Sequence, residues 1–349
     1  MHDSTRKIRR ELLTGTTSIA VLALTIFFFD SKAFAQDLVA NEEAIGRLKN
    51  ALRMNYSYAD LRQIQWGSRV DEFREDLYNA KSPESFATVA AKCMGEAKDS
   101  HIWFKVGEKT IGTFQHPNRL NFNPRILPKL LPTLTQHGKT VLVGTTQEKI
   151  QYIAIATWDH RDPGSMAKAV EAVQNAIRSR QPLILDVRAN SGGDEMQARK
   201  VASYFVAKPT PYAAHSMRKD GKDSEIQQRV LQPDPDGLLH PGPCVVLMGP
   251  ANMSSCESFL KMMRAADVPL IGETSVGTSG NPKPYELGNG VTVFLPSWRD
   301  MDLKGNVIEG KGIVPDVRVE TKPEDFAKSD PVLLEACKQL LKKAQPANR

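Results

Sequence analysis

The chain has 349 residues, of which 41% are hydrophobic and 25% are charged, and its length suits one large domain or two modest ones. The net charge of +6 is mild, and part of the excess lies in the first 35 residues, so the charge does not indicate a nucleic-acid partner. The cysteines are widely spaced without a CxxC pair, which argues against zinc and leaves three disulfide pairings open for Cys93, Cys244, Cys256 and Cys337.

Residues 1–35 have the pattern of a cleaved export signal. Four basic residues within positions 6–10 precede an apolar run at 19–29, and Ala-Phe-Ala at 33–35 is a small-x-small cleavage site. The apolar run is too short to span a bilayer comfortably. The sequence therefore predicts an exported protein, periplasmic or extracellular, without a stable membrane anchor after cleavage, and it leaves the general or twin-arginine route open.

Residues 36–104 are predicted to form a small helical N-terminal domain, because apolar residues recur there at helical spacing. Asp60-Leu61-Arg62 and Ser82-Pro83-Glu84 have the pattern of helix entries, the second with proline at the first helical position. Residues 105–150 contain four prolines, which argue against a regular module. We predict a linker there that packs on the core and could overhang the site.

Between residues 151 and 325 strands and helices alternate, which predicts βα units on a largely parallel sheet. The predicted strands are 152–157, 183–187 and 244–248, and the predicted helices are 165–178, 196–206 and 254–266. The charged, proline-containing stretch 208–243 interrupts this alternation and is predicted to be a surface excursion. Residues 326–349 are predicted to end the chain in an amphipathic helix.

Ser254 stands where the apolar strand 244–248 gives way, after Gly249-Pro250, to a helical pattern. Free backbone N–H groups and the positive end of the helix could stabilise an oxyanion there, so the position suits a nucleophile. The residues Ser254-x-x-Glu257 also match a capping box, in which the hydroxyl only caps the first turn, and local pattern alone favours that reading. The neighbouring Cys256 is interpreted as a small buried helix residue.

A second informative stretch, DVRANSGG, runs from Asp186 to Gly193. It closes a buried strand with a glycine pair, which lets the backbone approach a ligand closely and point an N–H at it. An ordinary βα turn would have the same pattern.

Four motifs follow one another between residues 152 and 320: LILDVRANSGG, NMSSCES, LIGETSVGTSG and EGKGIVPDVRVE. Together they resemble the core of the C-terminal (tail-specific) processing serine peptidases and their tricorn-core relatives. The resemblance implies an α/β fold with a crotonase-like ββα core and makes Ser254 the nucleophile. It also implies oxyanion donors from the Gly192-Gly193 turn and from the backbone N–H of Ser255.

The general base departs from the processing peptidases. Their lysine would fall near residues 277–280, which contain none, and Lys283 stands between two prolines; a peptide-docking PDZ module is also missing. The tricorn-like branch uses a histidine preceded by serine and an orienting glutamate, which Ser100-His101 and Glu309 match. We therefore predict the His101 imidazole within about 4 Å of the Ser254 hydroxyl, and Lys283 without a catalytic part.

Two functions follow from this reading. The first is an exported serine peptidase that acts on polypeptides by a Ser-His-Glu mechanism, without metal or cofactor. The second is a non-catalytic or weakly catalytic binding protein for an apolar small molecule or peptide, since the interphotoreceptor retinoid-binding proteins resemble the same fold. A binding protein has no need of the serine, the histidine and the glycine turn together, so we expect the enzyme.

Overall fold

The computed structural model describes residues 38–344 except Asn118, His160 and Asp162, so the predicted export signal lies outside the described residues. The helices are α1 (38–55), α2 (Trp66–Glu72), α3 (Arg74–Tyr78), α4 (Pro83–Met94), α5 (Leu127–Leu130), α6 (Pro163–Ser179), α7 (Glu195–Ala202), α8 (Ser255–Ala265) and α9 (Pro331–Ala344). The strands are β1 (Trp103–Val106), β2 (Lys109–Gly112), β3 (Thr135–His137), β4 (Val141–Thr145), β5 (Gln151–Ile155), β6 (Leu183–Asp186), β7 (Thr210–Lys219), β8 (Lys222–Asp223), β9 (Gln227–Leu231), β10 (Cys244–Met248), β11 (Leu270–Gly272), β12 (Lys283–Glu286), β13 (Thr292–Leu295), β14 (Trp298–Met301) and β15 (Val317–Arg318).

The central sheet has the strand order β15-β11-β10-β6-β5-β4-β3. Strands β15, β11, β10, β6 and β5 run parallel, whereas β4 runs antiparallel to both of its neighbours, β5 and β3. Every residue of β10 is buried: Val246 and Met248 join the core under α6, α7 and α8, and Val245 and Leu247 pack toward α9. Because successive side chains of a strand point to opposite faces, helices on both faces explain the unbroken apolar run.

The N-terminal helices pack on a separate antiparallel sheet with the order β12-β13-β1-β2. The predicted helix entry at Ser82 is confirmed: the Ser85 N–H donates to Ser82 Oγ (3.1 Å), and Pro83 begins α4. The predicted entry at residues 60–62 is wrong, because these residues lie in turns and α2 begins only at Trp66.

Residues 105–150 are more regular than predicted. They contribute β2 to the antiparallel sheet and β3 and β4 to the central sheet. The four prolines suggested an irregular linker, but they all lie outside these strands. Proline therefore interrupts the segment without preventing its strands from pairing.

The predicted surface excursion at 208–243 is also wrong, since β7 pairs there with β9 and with β14 in a further sheet. Its charges misled the prediction, because charged residues are rarely buried unless they are paired. The one charged residue of this stretch that is buried, Arg229, is paired: its guanidinium contacts Asp300 and, at 2.8 Å, Glu195.

Candidate functional site

Two loops meet at one edge of the central sheet. Strands β6 and β10 are parallel neighbours, with Leu247 opposite Asp186. Their carboxyl ends therefore lie side by side, and the segments that follow them, 187–194 and 249–254, share one crevice. This topology brings the glycine pair next to Ser254.

Ser254 has a backbone conformation that residues with a side chain rarely adopt, with φ +57° and ψ −130°. Its N–H donates to the Thr278 carbonyl (2.8 Å), and its own carbonyl accepts from the Glu257 N–H (2.9 Å). The Ser254 hydroxyl makes no capping hydrogen bond, and it has no partner among the described residues. The capping-box interpretation is therefore wrong, and the hydroxyl is left unengaged.

The glycine pair allows the turn to lie directly against Ser254. Gly192 and Gly193 have φ of +108° and +135°. A Cβ on Gly192 would lie 2.9 Å from Ser254 Cβ and 2.9 Å from the Met253 carbonyl oxygen, closer than side-chain carbons normally approach. Glycine is thus required at position 192 by its conformation and by the nearness of the serine.

The backbone N–H groups of this crevice differ in their availability. The Gly192 N–H donates to Asn190 Oδ1 (2.8 Å), so the prediction that the whole glycine pair supplies oxyanion donors is corrected for Gly192. Within the described part of the chain, the N–H groups of Gly193 and Ser255 have no acceptor. The Ser255 hydroxyl donates to the Gly193 carbonyl (2.8 Å) and so ties the turn to the first residue of α8. Unpaired N–H groups at a helix start favour negative charge.

His101 is buried, and Thr278 connects it to the serine. The His101 Nδ1 lies 3.1 Å from Thr278 Oγ1, and the carbonyl of the same threonine accepts the Ser254 N–H. Asp99 fixes the histidine backbone, since its Oδ1 accepts the His101 N–H (2.9 Å). No hydrogen bond joins the His101 and Ser254 side chains among the residues described, so their approach to within about 4 Å stays a prediction.

Glu309 reaches His101 through a hydroxyl. Its Oε1 accepts from Thr278 Oγ1 (3.5 Å), and its Oε2 accepts from the Ser279 N–H (3.1 Å). Ser100, which the resemblance placed in the catalytic set, does not take part in these contacts. Its Oγ is buried without a hydrogen-bond partner in the described chain, and the bridging hydroxyl belongs to Thr278.

Arg62 lies between the carboxylates of Asp99 and Glu309. Its guanidinium contacts Glu309 directly and lies 3.6 Å from Asp99 Oδ2. Tyr56 completes the group, because its hydroxyl donates to Asp99 Oδ2 (2.9 Å) and accepts from Arg62 Nε (3.2 Å). Arg62 is not predicted as a site residue from the sequence, because residues 60–62 match a helix entry.

Burial sets the protonation of this group. It lowers the pKa of His101, against the opposing effect of the Asp99 carboxylate, so the imidazole is neutral at pH 7. Burial and Asp99 raise the pKa of Glu309, and the Arg62 guanidinium opposes the rise. A neutral imidazole can accept a proton from a hydroxyl.

Glu257 links α8 to the loop that carries Thr278. Its Oε1 accepts from Ser275 Oγ (2.5 Å) and the Gly277 N–H (2.7 Å), and its Oε2 accepts the Thr278 N–H (3.0 Å). Burial raises the pKa of this carboxyl to about 7. Instead of capping α8, Glu257 positions the threonine.

The remaining candidates lie apart from this chemistry. Lys283 is exposed on β12, and Cys256 is fully buried, which raises the pKa of its thiol. All four cysteines are free thiols, so no disulfide pairing is formed. The described residues contain no acidic, histidine or cysteine cluster suited to a metal ion, and none of their helices combines the length and apolarity needed to cross a membrane.

Comparison with known proteins supports this description of the fold. The model of peptidase family S41 matches residues 149–319. Two Bacillus subtilis (strain 168) proteins, carboxy-terminal processing proteases CtpB and CtpA, are 25% and 26% identical over 200 and 196 residues, which is 55% and 54% of this chain. The chain covers only 39% of the length of each of these two relatives. A solved structure from Parabacteroides merdae ATCC 43184, assigned as a peptidase, is similar with TM-score 0.74 and 20% identity over 88% of this chain and 99% of that one.

Proposed function

Residues 149–319 belong to peptidase family S41, and we propose that this protein hydrolyses peptide bonds with Ser254 as the nucleophile. The observation that carries the proposal is the state of Ser254. It is held in a rare conformation at the start of α8, its hydroxyl has no partner among the described residues, and two unpaired N–H groups lie beside it. A serine that only capped the helix would need none of these features.

In the proposed reaction Ser254 Oγ attacks the carbonyl carbon of the peptide bond while its proton passes to the His101 imidazole. The carbonyl oxygen becomes an oxyanion and accepts hydrogen bonds from the N–H groups of Gly193 and Ser255. The C–N bond then breaks, and the leaving amine takes the proton from His101, which leaves an ester on Ser254. Water then attacks the ester carbonyl carbon while His101 takes its proton, and the C–O bond to Ser254 breaks as His101 returns that proton to Ser254 Oγ, which releases the acid product.

We infer that Thr278, Glu309 and Arg62 position the base. The Nδ1–H of His101 donates to the Thr278 hydroxyl, which in turn donates to Glu309. This chain of hydrogen bonds stabilises the imidazolium that forms during attack. Arg62 favours the charged form of Glu309, against burial and Asp99, because removing the guanidinium would leave the Glu309 and Asp99 carboxylates buried side by side.

We propose that the central sheet with its helices is a crotonase-like core and that residues 36–104 form a helical N-terminal domain. Strands β1, β12 and β13 pack against those helices, so the domain includes a sheet. The pattern of residues 1–35 supports export, and the substrate is then a polypeptide outside the cytoplasm.

Covalent labelling with a small fluorophosphonate, followed by peptide mapping, tests the nucleophile. We expect one adduct on Ser254, no adduct and no peptide hydrolysis in Ser254→Ala, and normal labelling in Ser258→Ala, one helical turn further along α8. A chain that leaves Ser254 unlabelled and cleaves no peptide in a mixed library would instead be a binding protein on the same fold.

A further inference from the structure

A cavity of about 370 Å³ lies beside the proposed nucleophile. Its volume is at the lower end of the range of about 300–1,000 Å³ that is usual for ligand sites, so it suits one or two side chains. Its apolar walls come from Phe114, Pro117, Leu120, Ala251, Met253 and Val276.

Three residues of the cavity wall are chain neighbours of site residues. Ser100, Ser191 and Met253 line the cavity, and each is the chain neighbour of a site residue: His101, Gly192 and Ser254 respectively. A second cavity of about 740 Å³ lies beyond the glycine turn, is also lined by Ser191, and contains the charged residues Asp159, Arg161 and Asp194. A peptide lying across Ser254 would therefore meet an apolar cavity on one side and a polar one on the other.

Two polar atoms on residues of the apolar cavity lack partners. Ser100 Oγ and His116 Nε2 are both buried without a hydrogen bond in the described chain, while the His116 ring packs edge-on against Phe114 at 4.9 Å. Buried polar atoms in native proteins are nearly always hydrogen-bonded, and each exception needs an explanation. Both residues line one cavity next to the proposed nucleophile, and rotation of their side chains on substrate binding would present these atoms to a peptide main chain.

We propose that this cavity is a substrate subsite that holds an apolar side chain of leucine or phenylalanine size next to the cleaved bond, with Ser100 Oγ and His116 Nε2 bonded to the peptide main chain. The proposal rests on the proposed peptidase function of the same crevice. It gives Ser100 a place in substrate binding, which agrees with its absence from the hydrogen bonds that link His101 to Glu309.

The test begins by mapping the bonds that the full chain cleaves in a peptide mixture. Values of kcat/KM are then measured for matched peptides with alanine, leucine or lysine at each side of one such bond. At one side, leucine should exceed alanine at least about tenfold, since a single methylene in an apolar pocket is worth about 10- to 200-fold. Leu120→Glu should remove that preference and raise cleavage of the lysine peptide. The matched control is Leu303→Glu, because Leu303 and Leu120 are similarly exposed, at 47% and 40%, and Leu303 does not line the cavity.

Ser100→Ala and His116→Gln test the polar contacts. Each should lower kcat/KM for the leucine peptide about tenfold, while the rate of Ser254 labelling by a small fluorophosphonate stays unchanged. A loss of both readouts would place these residues with the catalytic group and overturn their part in the subsite.

Binding to Ser254→Ala protein separates this proposal from the proposed function. If the wild-type chain cleaves nothing, calorimetry with the same peptides still decides: tighter binding of the leucine peptide that Leu120→Glu abolishes supports the subsite without the enzyme. If the chain cleaves peptides but treats alanine and leucine alike on both sides, or if Leu303→Glu acts like Leu120→Glu, the subsite is refuted while the peptidase stands.

Discussion

Replacing Thr278 with valine should slow the reaction while leaving the fold intact. Valine keeps the size and branching of the fully buried threonine but removes the hydroxyl that contacts His101 Nδ1 (3.1 Å) and Glu309 Oε1 (3.5 Å). The Nδ1–H is then left buried without a partner, which costs about 1–3 kcal/mol. Because this loss falls on the imidazolium of the transition state, kcat/KM should drop about 5- to 150-fold. The pKa of His101, which burial already lowers, should fall further.

The assay is kcat/KM for a fluorogenic peptide between pH 4 and 9, with thermal unfolding measured on the same samples. Thr278→Ser restores the hydroxyl and should recover most of the rate. Thr292→Val is the matched control, because it deletes an exposed hydroxyl that bonds only Glu286 in the antiparallel sheet. Full activity and an unshifted pH profile in Thr278→Val would refute the reasoning.

Three further variants or conditions probe the same site. Gly192→Ala should lower kcat/KM at least about 100-fold, because its Cβ would meet Ser254. The control Gly305→Ala has a similar positive φ of +82° but open space around it, so it should cost only about 1–3 kcal/mol of stability. Equal effects of the two variants would contradict the required close approach. Arg62→Met should destabilise the fold by about 3 kcal/mol by leaving Glu309 without its counter-ion, and chemical denaturation should show recovery when Glu309→Gln is added. The pH–rate profile should reach half its maximum below pH 6.5, because burial lowers the pKa of His101. The same shift means that the protein loses folding stability as the pH falls below 6.5 through the pKa of His101 in the folded state. An inflection of the rate above pH 7.5 would contradict a buried histidine base.

Local pattern was enough to predict the elements that frame the crevice. The sequence predicts a helix at 254–266 and a strand at 244–248, and the structure has Ser255–Ala265 and Cys244–Met248. Periodicity and the Gly249-Pro250 break carry this information within a few residues of the chain. The same kind of pattern failed at 208–243, because its buried charged residue, Arg229, is paired only by tertiary contacts such as that with Asp300.

The site residues also fall into those that local pattern reveals and those that it does not. Ser254 and the glycine pair stand out in the sequence because a strand end, a turn and a helix start are local features. His101 and Glu309 came from the resemblance alone, and Thr278 and Arg62 were missed. The contacts of these two residues join positions 177 and 247 residues apart, so no pattern along the chain could have revealed them.

The central claim, that a histidine activates Ser254, is tested most directly by the second-order rate constant for fluorophosphonate labelling of Ser254 in His101→Ala and in Lys283→Ala. A general base contributes about 10²- to 10⁴-fold, so the account predicts a loss of that size in His101→Ala. It predicts an unchanged rate in Lys283→Ala, whose side chain is exposed on β12. Wild-type labelling in His101→Ala together with loss of labelling in Lys283→Ala would contradict the account and identify a serine-lysine enzyme.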